Sequence, residues 1–264
     1  MKRFISTIAV SLILVMGMVA PALAVPNIAA NAQELFLGQA FWQGIPAATG
    51  YWYKANLTAG RSYCVYAWEP YADPSVSAPS VDMAVYRSDG VTPASDVYST
   101  DIEPKVENTG PGGNNGEQRR IIPSVNDSYR IRVGNNAAAV HTVYVMVVET
   151  TLFAPWFFVS PDSGYDGYIE MRNNTSNTLT AVVTAFDPAG GVFGSISINL
   201  PANGNAVITA TSLGVISSYG SVQIAHNGGP GAICANITTL SSITGLSFDS
   251  PFTPRMVWST FGGY

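Results

Sequence analysis

A chain of 264 residues with 47% hydrophobic content is long enough to bury one or two cores, and its formal charge of −5 excludes the basic surface on which nucleic-acid binding rests. Charged residues make up only 11% of the sequence, against roughly 25% in an ordinary soluble domain. Ser, Thr, Asn and Gly take their place, which fits an extracellular β protein better than a cytosolic enzyme.

The first segment reads as a secretory signal peptide over 1–24. Lys2 and Arg3 form a positive start, residues 4–20 are apolar, and Ala22-Leu23-Ala24 is a small-x-small cleavage site that would leave Val25 first. No Cys follows that site to carry a lipid, and no later segment has the roughly 20 apolar residues needed to cross a bilayer. Loss of Lys2 and Arg3 leaves 10 basic residues against 17 acidic, a net charge of −7. The expected location is therefore secreted, extracellular or at the cell surface, with no nucleic acid as partner and no stable membrane insertion after cleavage.

Residues 25–150 alternate as strands do, with expected strands at 33–37, 52–57, 62–68, 81–86, 118–122, 129–133 and 140–148. Clusters of Pro, Gly, Asp and Asn separate them, notably at 69–79 and 108–116. The two aromatic runs in 50–68, split by Thr58-Ala59-Gly60, are expected to pair as a hairpin near the centre of an antiparallel sheet. Strand 140–148 is apolar on both faces, so it is either central or, at an edge, a pairing surface for another chain. No window has clean helical periodicity, which points to a β-sandwich.

The run Ala30-Asn31-Ala32-Gln33-Glu34-Leu35, then Trp52-Tyr53-Lys54 with Leu57-Thr58-Ala59-Gly60, resembles the start of the bacterial pre-peptidase C-terminal (PPC) domain. Likeness continues through Val81-Asp82-Met83-Ala84-Val85-Tyr86, Arg87-Ser88-Asp89-Gly90 and Ser128-Tyr129-Arg130-Ile131-Arg132-Val133, so that it covers residues 30–149. Tyr51 stands where that family usually has Asp. The resemblance implies a small β-sandwich with an accessory role beside a secreted hydrolase. Because some members bind calcium through loop carboxylates, it also makes Asp82 and Asp89 calcium candidates; the residues themselves read as a strand Asp and an Asp-Gly turn.

Residues 151–264 differ in texture, holding only 2 basic and 5 acidic residues. Strands are expected at 168–172, 179–186, 192–200, 206–210, 221–225, 232–238 and 246–248, with turns at 173–177, 187–191, 201–204 and 227–231. The spacing suits an immunoglobulin-like sandwich, and the region resembles uncharacterised immunoglobulin-like modules of bacterial surface proteins. The expected fold is thus all-β: two tandem antiparallel β-sandwich domains, of jelly-roll or immunoglobulin-like type, over 25–150 and 151–264.

Reactive groups are few. Cys64 and Cys234 lie in apolar strands and read as buried free thiols, although export would permit a disulfide. His141 is expected on the same strand face as Val143 and Val145, and His226 as an exposed neighbour of the Asn227-Gly228 turn. Asp162, Asp166 and Glu170 cluster as paired glycosidase carboxylates would, yet each also reads as a turn or strand-edge residue. With no nucleophile elbow or zinc-binding helix motif, no catalytic residue, metal ligand or cofactor is expected.

Binding is the remaining chemistry. Trp156, Phe157 and Phe158, together with Trp42, are the candidate ligand-surface residues, with Trp52 and Trp68 as further aromatics. Expected partners are an extracellular polymer or other surface proteins, including copies of this chain. The first reading is a secreted, non-catalytic structural or adhesion-type protein; the second is a polymer- or carbohydrate-binding accessory module beside a secreted hydrolase.

Overall fold

The computed structural model describes residues 28–69, 81–94, 97–101 and 116–255. The signal-peptide region 1–24 and most of the loops at 69–79 and 108–116 lie outside the described residues. Apart from three short 3-10 turns, the regular structure of the described residues is β, in four sheets that face each other in pairs. Inward residues alternate with outward ones along almost every strand, as a sandwich core requires.

Among the described residues the first sandwich has nine strands: β1 (Gln33–Glu34), β2 (Phe41–Ile45), β3 (Thr49–Leu57), β4 (Tyr63–Trp68), β5 (Val81–Tyr86), β6 (Val97–Asp101), β7 (Gly116–Ile121), β8 (Asp127–Asn135) and β9 (His141–Glu149). One sheet has the order β1-β3-β8-β5 and the other β2-β9-β4-β7-β6. Among the described residues all its pairings are antiparallel except β1 with β3, which run parallel. Tyr53, Met83 and Ile131 from one sheet meet Tyr63, Val65, Val143 and Val145 from the other in a closed core. Each such side chain contributes about 1.5–3 kcal/mol by leaving water.

The two aromatic runs at 50–68 do not pair with each other. β3 bonds β8, with Tyr53 opposite Ile131, whereas β4 bonds β9 and β7, with Tyr66 opposite Met146 and Gln118. Residues 58–62 instead arch over the core from one sheet to the other. Side-chain alternation fixes the face of a strand but not its neighbour, and the arch has its own anchors. The Gly60 amide donates to Pro123 O (2.8 Å), the Ala59 amide to Asn126 Oδ1 (2.8 Å) and the Thr58 amide to the Tyr63 hydroxyl (3.1 Å). Strand β9 is central, between β2 and β4, so it offers no free edge.

Thr150 and Thr151 lead into the second sandwich. Its strands are β10 (Leu152–Val159), β11 (Tyr165–Asn173), β12 (Leu179–Phe186), β13 (Val192–Leu200), β14 (Asn205–Thr209), β15 (Ser218–His226), β16 (Ile233–Ser241), β17 (Ser247–Pro251) and β18 (Thr253–Pro254). They form sheets of order β13-β12-β15-β10-β18 and β14-β11-β16-β17. Phe157, Val183 and Ile224 pack against Ile169, Met171 and Ile237 in a second, separate core.

Polar contacts join the sandwiches. The Ser62 amide donates to Thr151 Oγ1 (2.8 Å), Gln223 Nε2 to Gly60 O (2.7 Å) and Arg120 Nη1 to Asn227 O (3.1 Å). The 227–231 turn thereby covers the outer face of β4 and β7. That cover is why Cys64, on the face pointing away from the first core, is fully buried.

Candidate functional site

The candidate site is an aromatic corner on the second sandwich. β10 follows β15 from Leu152 to Ala154 and again from Phe157 to Val159, with a register shift between. Pro155 falls in that shift, where a residue without an amide hydrogen does least harm. The bulge turns Phe157 into the core, where it is 0% exposed, and leaves Trp156 outside at 40% with Phe158 half-buried beside it. Phe157 is therefore a core residue and not part of a ligand surface, because it occupies the inward phase shared with Val159.

Two further rings complete the corner. Phe248 of β17 stands opposite Thr239, and Tyr165 opens β11. Their centroids close a circuit of four: Trp156 to Phe158 at 6.5 Å, Phe158 to Tyr165 at 5.7 Å, Tyr165 to Phe248 at 6.5 Å and Phe248 to Trp156 at 6.3 Å. The Trp156 and Phe158 planes are within 10° of parallel, and Phe248 stands at 87° to Trp156. The Phe158 amide donates to Thr239 Oγ1 (3.4 Å), tying the bulge to the facing sheet. Aromatic pairs at these separations are worth about 0.5–1.5 kcal/mol each beyond buried area, so the circuit holds its own shape while Phe248 remains 52% exposed.

Trp42 lies on the other sandwich, 64% exposed, and is not brought near the corner's sheet pair. It begins a second aromatic row on one face of neighbouring strands: Trp42 is opposite Tyr144, and Tyr144 is opposite Trp68. The Tyr144 and Trp68 rings stack at 5.4 Å. Trp52 instead leans on Tyr86 at 5.2 Å, on the outer face of the opposite sheet. Sequence reasoning passed over Tyr144, Tyr165 and Phe248; for Tyr144 the signal was its phase, out of step with Val143 and Val145.

The titratable candidates have structural roles. His226 is buried at 2% exposure rather than in an exposed turn, because it shares the inward phase of Val222 and Ile224. Its Nδ1 accepts from the Gly228 amide (3.1 Å), and desolvation holds it down at about 4 against a backbone hydrogen bond to Thr150. His141 Nδ1 lies 3.0 Å from Glu69 Oε1, and no hydroxyl is bonded to that ring among the described residues. Cys234 is exposed, in the outward phase of Asn236, not buried as expected; both thiols are free.

The carboxylates are similarly engaged. Asp166 accepts from Gly167, Thr211 and the Thr211 hydroxyl, anchoring the turn Thr211–Leu213. Glu170 lies on the exposed outer face of β11, opposite Val207 and Asn236, and Asp162 in the turn Pro161–Ser163. Asp89 spends both oxygens on its own turn, accepting from Val91, Thr92 and the Thr92 hydroxyl, while Asp82 lies 4.0 Å from Arg132. Among the described residues no three His, Cys, Asp or Glu side chains gather as a metal site.

Compared with known proteins, the chain matches no protein-family model and no curated protein.

Proposed function

We propose that this chain is a secreted, non-catalytic β-sandwich protein of the adhesion type, which meets an extracellular polymer through the corner of Trp156, Phe158, Tyr165 and Phe248. The observation that carries the reading is the closed circuit of four rings with two of its members open to solvent. Exposed π faces held by one another cost little entropy to present and stack on the apolar faces of sugar rings or other flat groups. The signal-like start, the polar uncharged surface and the PPC resemblance all support an extracellular setting.

Sedimentation with insoluble cellulose, chitin, peptidoglycan and whole cells tests it. Trp156→Ala with Phe248→Ala should weaken binding at least about tenfold, while the lost ring contacts lower the melting temperature by only a few degrees and unfolding stays cooperative. Equal binding by the double variant, or no binding by the parent on the whole panel, would sink the reading.

A second reading, a carbohydrate-binding accessory module beside a separate hydrolase, is favoured by the Trp42, Tyr144 and Trp68 row. Loss of binding in Trp42→Ala alone would support that surface over the corner. The same assay with and without calcium reads out any metal dependence that the PPC resemblance implies.

A further inference from the structure

The two sheets of the second sandwich end, on one side, in strands β13 and β14, joined by the turn at 201–204. From Gly194 to Leu200, β13 follows β12 residue for residue with no bulge, and its sequence Gly-Ser-Ile-Ser-Ile-Asn-Leu has no charge and no proline. β14, Asn-Ala-Val-Ile-Thr, has none either. Leu213 closes over the start of β13, so tightly that its carbonyl would lie 2.3 Å from a Cβ placed on Gly194. Beyond that point, residues 195–199 find backbone partners only on β12 among the described residues.

Several other edges are guarded. Met83 on β5 has both backbone groups capped by side chains of β7, the free stretch of β10 contains Pro155, and β17 carries Asp249 and Pro251. β2 is uncharged too, but is five residues long and interrupted by Gly44. A long, flat, uncharged edge offers a row of unpaired N–H and C=O groups as a template for another strand.

We propose that β13 pairs antiparallel with β13 of a second copy of this chain, about a two-fold axis through Ser197. That axis sets Ser195 opposite Asn199, Ile196 opposite Ile198 and Ser197 opposite itself. Ser195, Ser197 and Asn199 face outward, so polar meets polar; Ile196 and Ile198 face the core and are only partly covered, so each copy roofs the other's open side. Ala206 and Ile208 of β14, also partly buried on the core, extend the same apolar side. The absence of charge removes the like-charge repulsion that defeats most self-paired edges, and a two-fold pair closes instead of growing. The match is to the strand's own sequence read backwards, which favours a copy over an unrelated peptide.

This pairing extends the adhesion reading to the assembly state, and its test needs no polymer, so the two fail separately. Sedimentation velocity of the purified full chain, from micromolar to submillimolar concentration, should show a species of twice the chain mass. Ser197→Lys, which places two ammonium groups face to face while leaving the monomer's core untouched, should raise the dimer dissociation constant at least about tenfold. Thr142→Lys, exposed on the first sandwich, should leave it unchanged. On a Cys234→Ser background, Ser197→Cys should give a disulfide-linked dimer on mild oxidation, since directly opposed strand residues lie within disulfide reach. A parent that stays monomeric throughout, or a dimer as tight in Ser197→Lys as in the parent, would overturn the proposal.

Discussion

Arg119 donates from Nε and Nη2 to the carbonyl oxygen of Met83, at 3.0 and 2.8 Å, while Glu117 accepts the amide of the same residue at 2.7 Å. The two side chains are themselves paired at 2.9 Å. They reach across from β7 to β5, so an ion pair in one sheet seals the open edge of the other. Edge strands need some such device, and here a buried carboxylate and a half-buried guanidinium satisfy backbone groups that would otherwise face outward.

Arg119→Ala should therefore cost about 2–3 kcal/mol, because it takes the guanidinium away from the Glu117 carboxylate and uncaps Met83 O at once. Urea unfolding gives the number directly. A loss below about 1 kcal/mol, the range of an ordinary surface pair, would show that the seal contributes nothing.

His226 makes stability depend on pH. In the unfolded chain it takes a proton near its ordinary 6.5, but desolvation delays this to about 4 in the folded protein. Its contribution is thus fully present above 6.5 and is lost as pH falls to 4, on the order of 3 kcal/mol in all. Glu149 acts oppositely: desolvation raises its carboxyl against the nearby Arg61, so its contribution is present below its ordinary 4.5 and lost as pH rises above it. Asp89, held low first by the Thr92 hydroxyl and then by backbone amides, loses its share only below 3.8. Urea midpoints should fall between pH 6.5 and 4, and His226→Gln should flatten that slope. An unchanged slope would remove His226 as the cause.

The two thiols should react differently. Cys234 is exposed, with Asn174 Nδ2 at 3.1 Å as its contact, whereas Cys64 is buried under the Gly228 carbonyl, and burial pushes its thiol up. A thiol reagent should titrate one group in the native protein and two in denaturant. Two in the native state would mean that the 227–231 turn does not cover β4.

Phase explains what the sequence made legible and what it hid. The period of two places Val143 and Val145 inward on β9 and Val183 and Ala185 inward on β12, and from such runs the all-β sandwich fold is readable. His226 and Cys234 were readable by the same rule, in step with Ile224 and with Asn236, but a neighbouring Asn-Gly turn and apolar flanks obscured them. Cys64 is the buried free thiol that its apolar flanks suggested, but the other sandwich is what buries it, and no local pattern encodes that cause. Nor could alternation reveal that β3 and β4 belong to facing sheets, since that depends on which strands arrive from elsewhere in the chain. β10 was obscured by Pro155, which breaks the pattern at the bulge that creates the aromatic corner.

That bulge makes Trp156 and Phe157 adjacent in sequence and opposite in consequence. Phe157 is fully buried beside Gly220, whose position leaves no room for a side chain: a Cβ there would come within 1.9 Å of Phe186 O and 3.3 Å of the Phe157 ring. Phe157→Ala removes a close-packed ring from this site and should cost about 3–5 kcal/mol. Trp156→Ala gives up two ring contacts at the surface and should cost about 1 kcal/mol, while weakening attachment to any polymer that the corner holds. Thermal melts of the two variants beside the pelleting assay separate the roles. If Phe157→Ala proved as mild as Trp156→Ala, the register shift between Ala154 and Phe157 would not turn the chain as described.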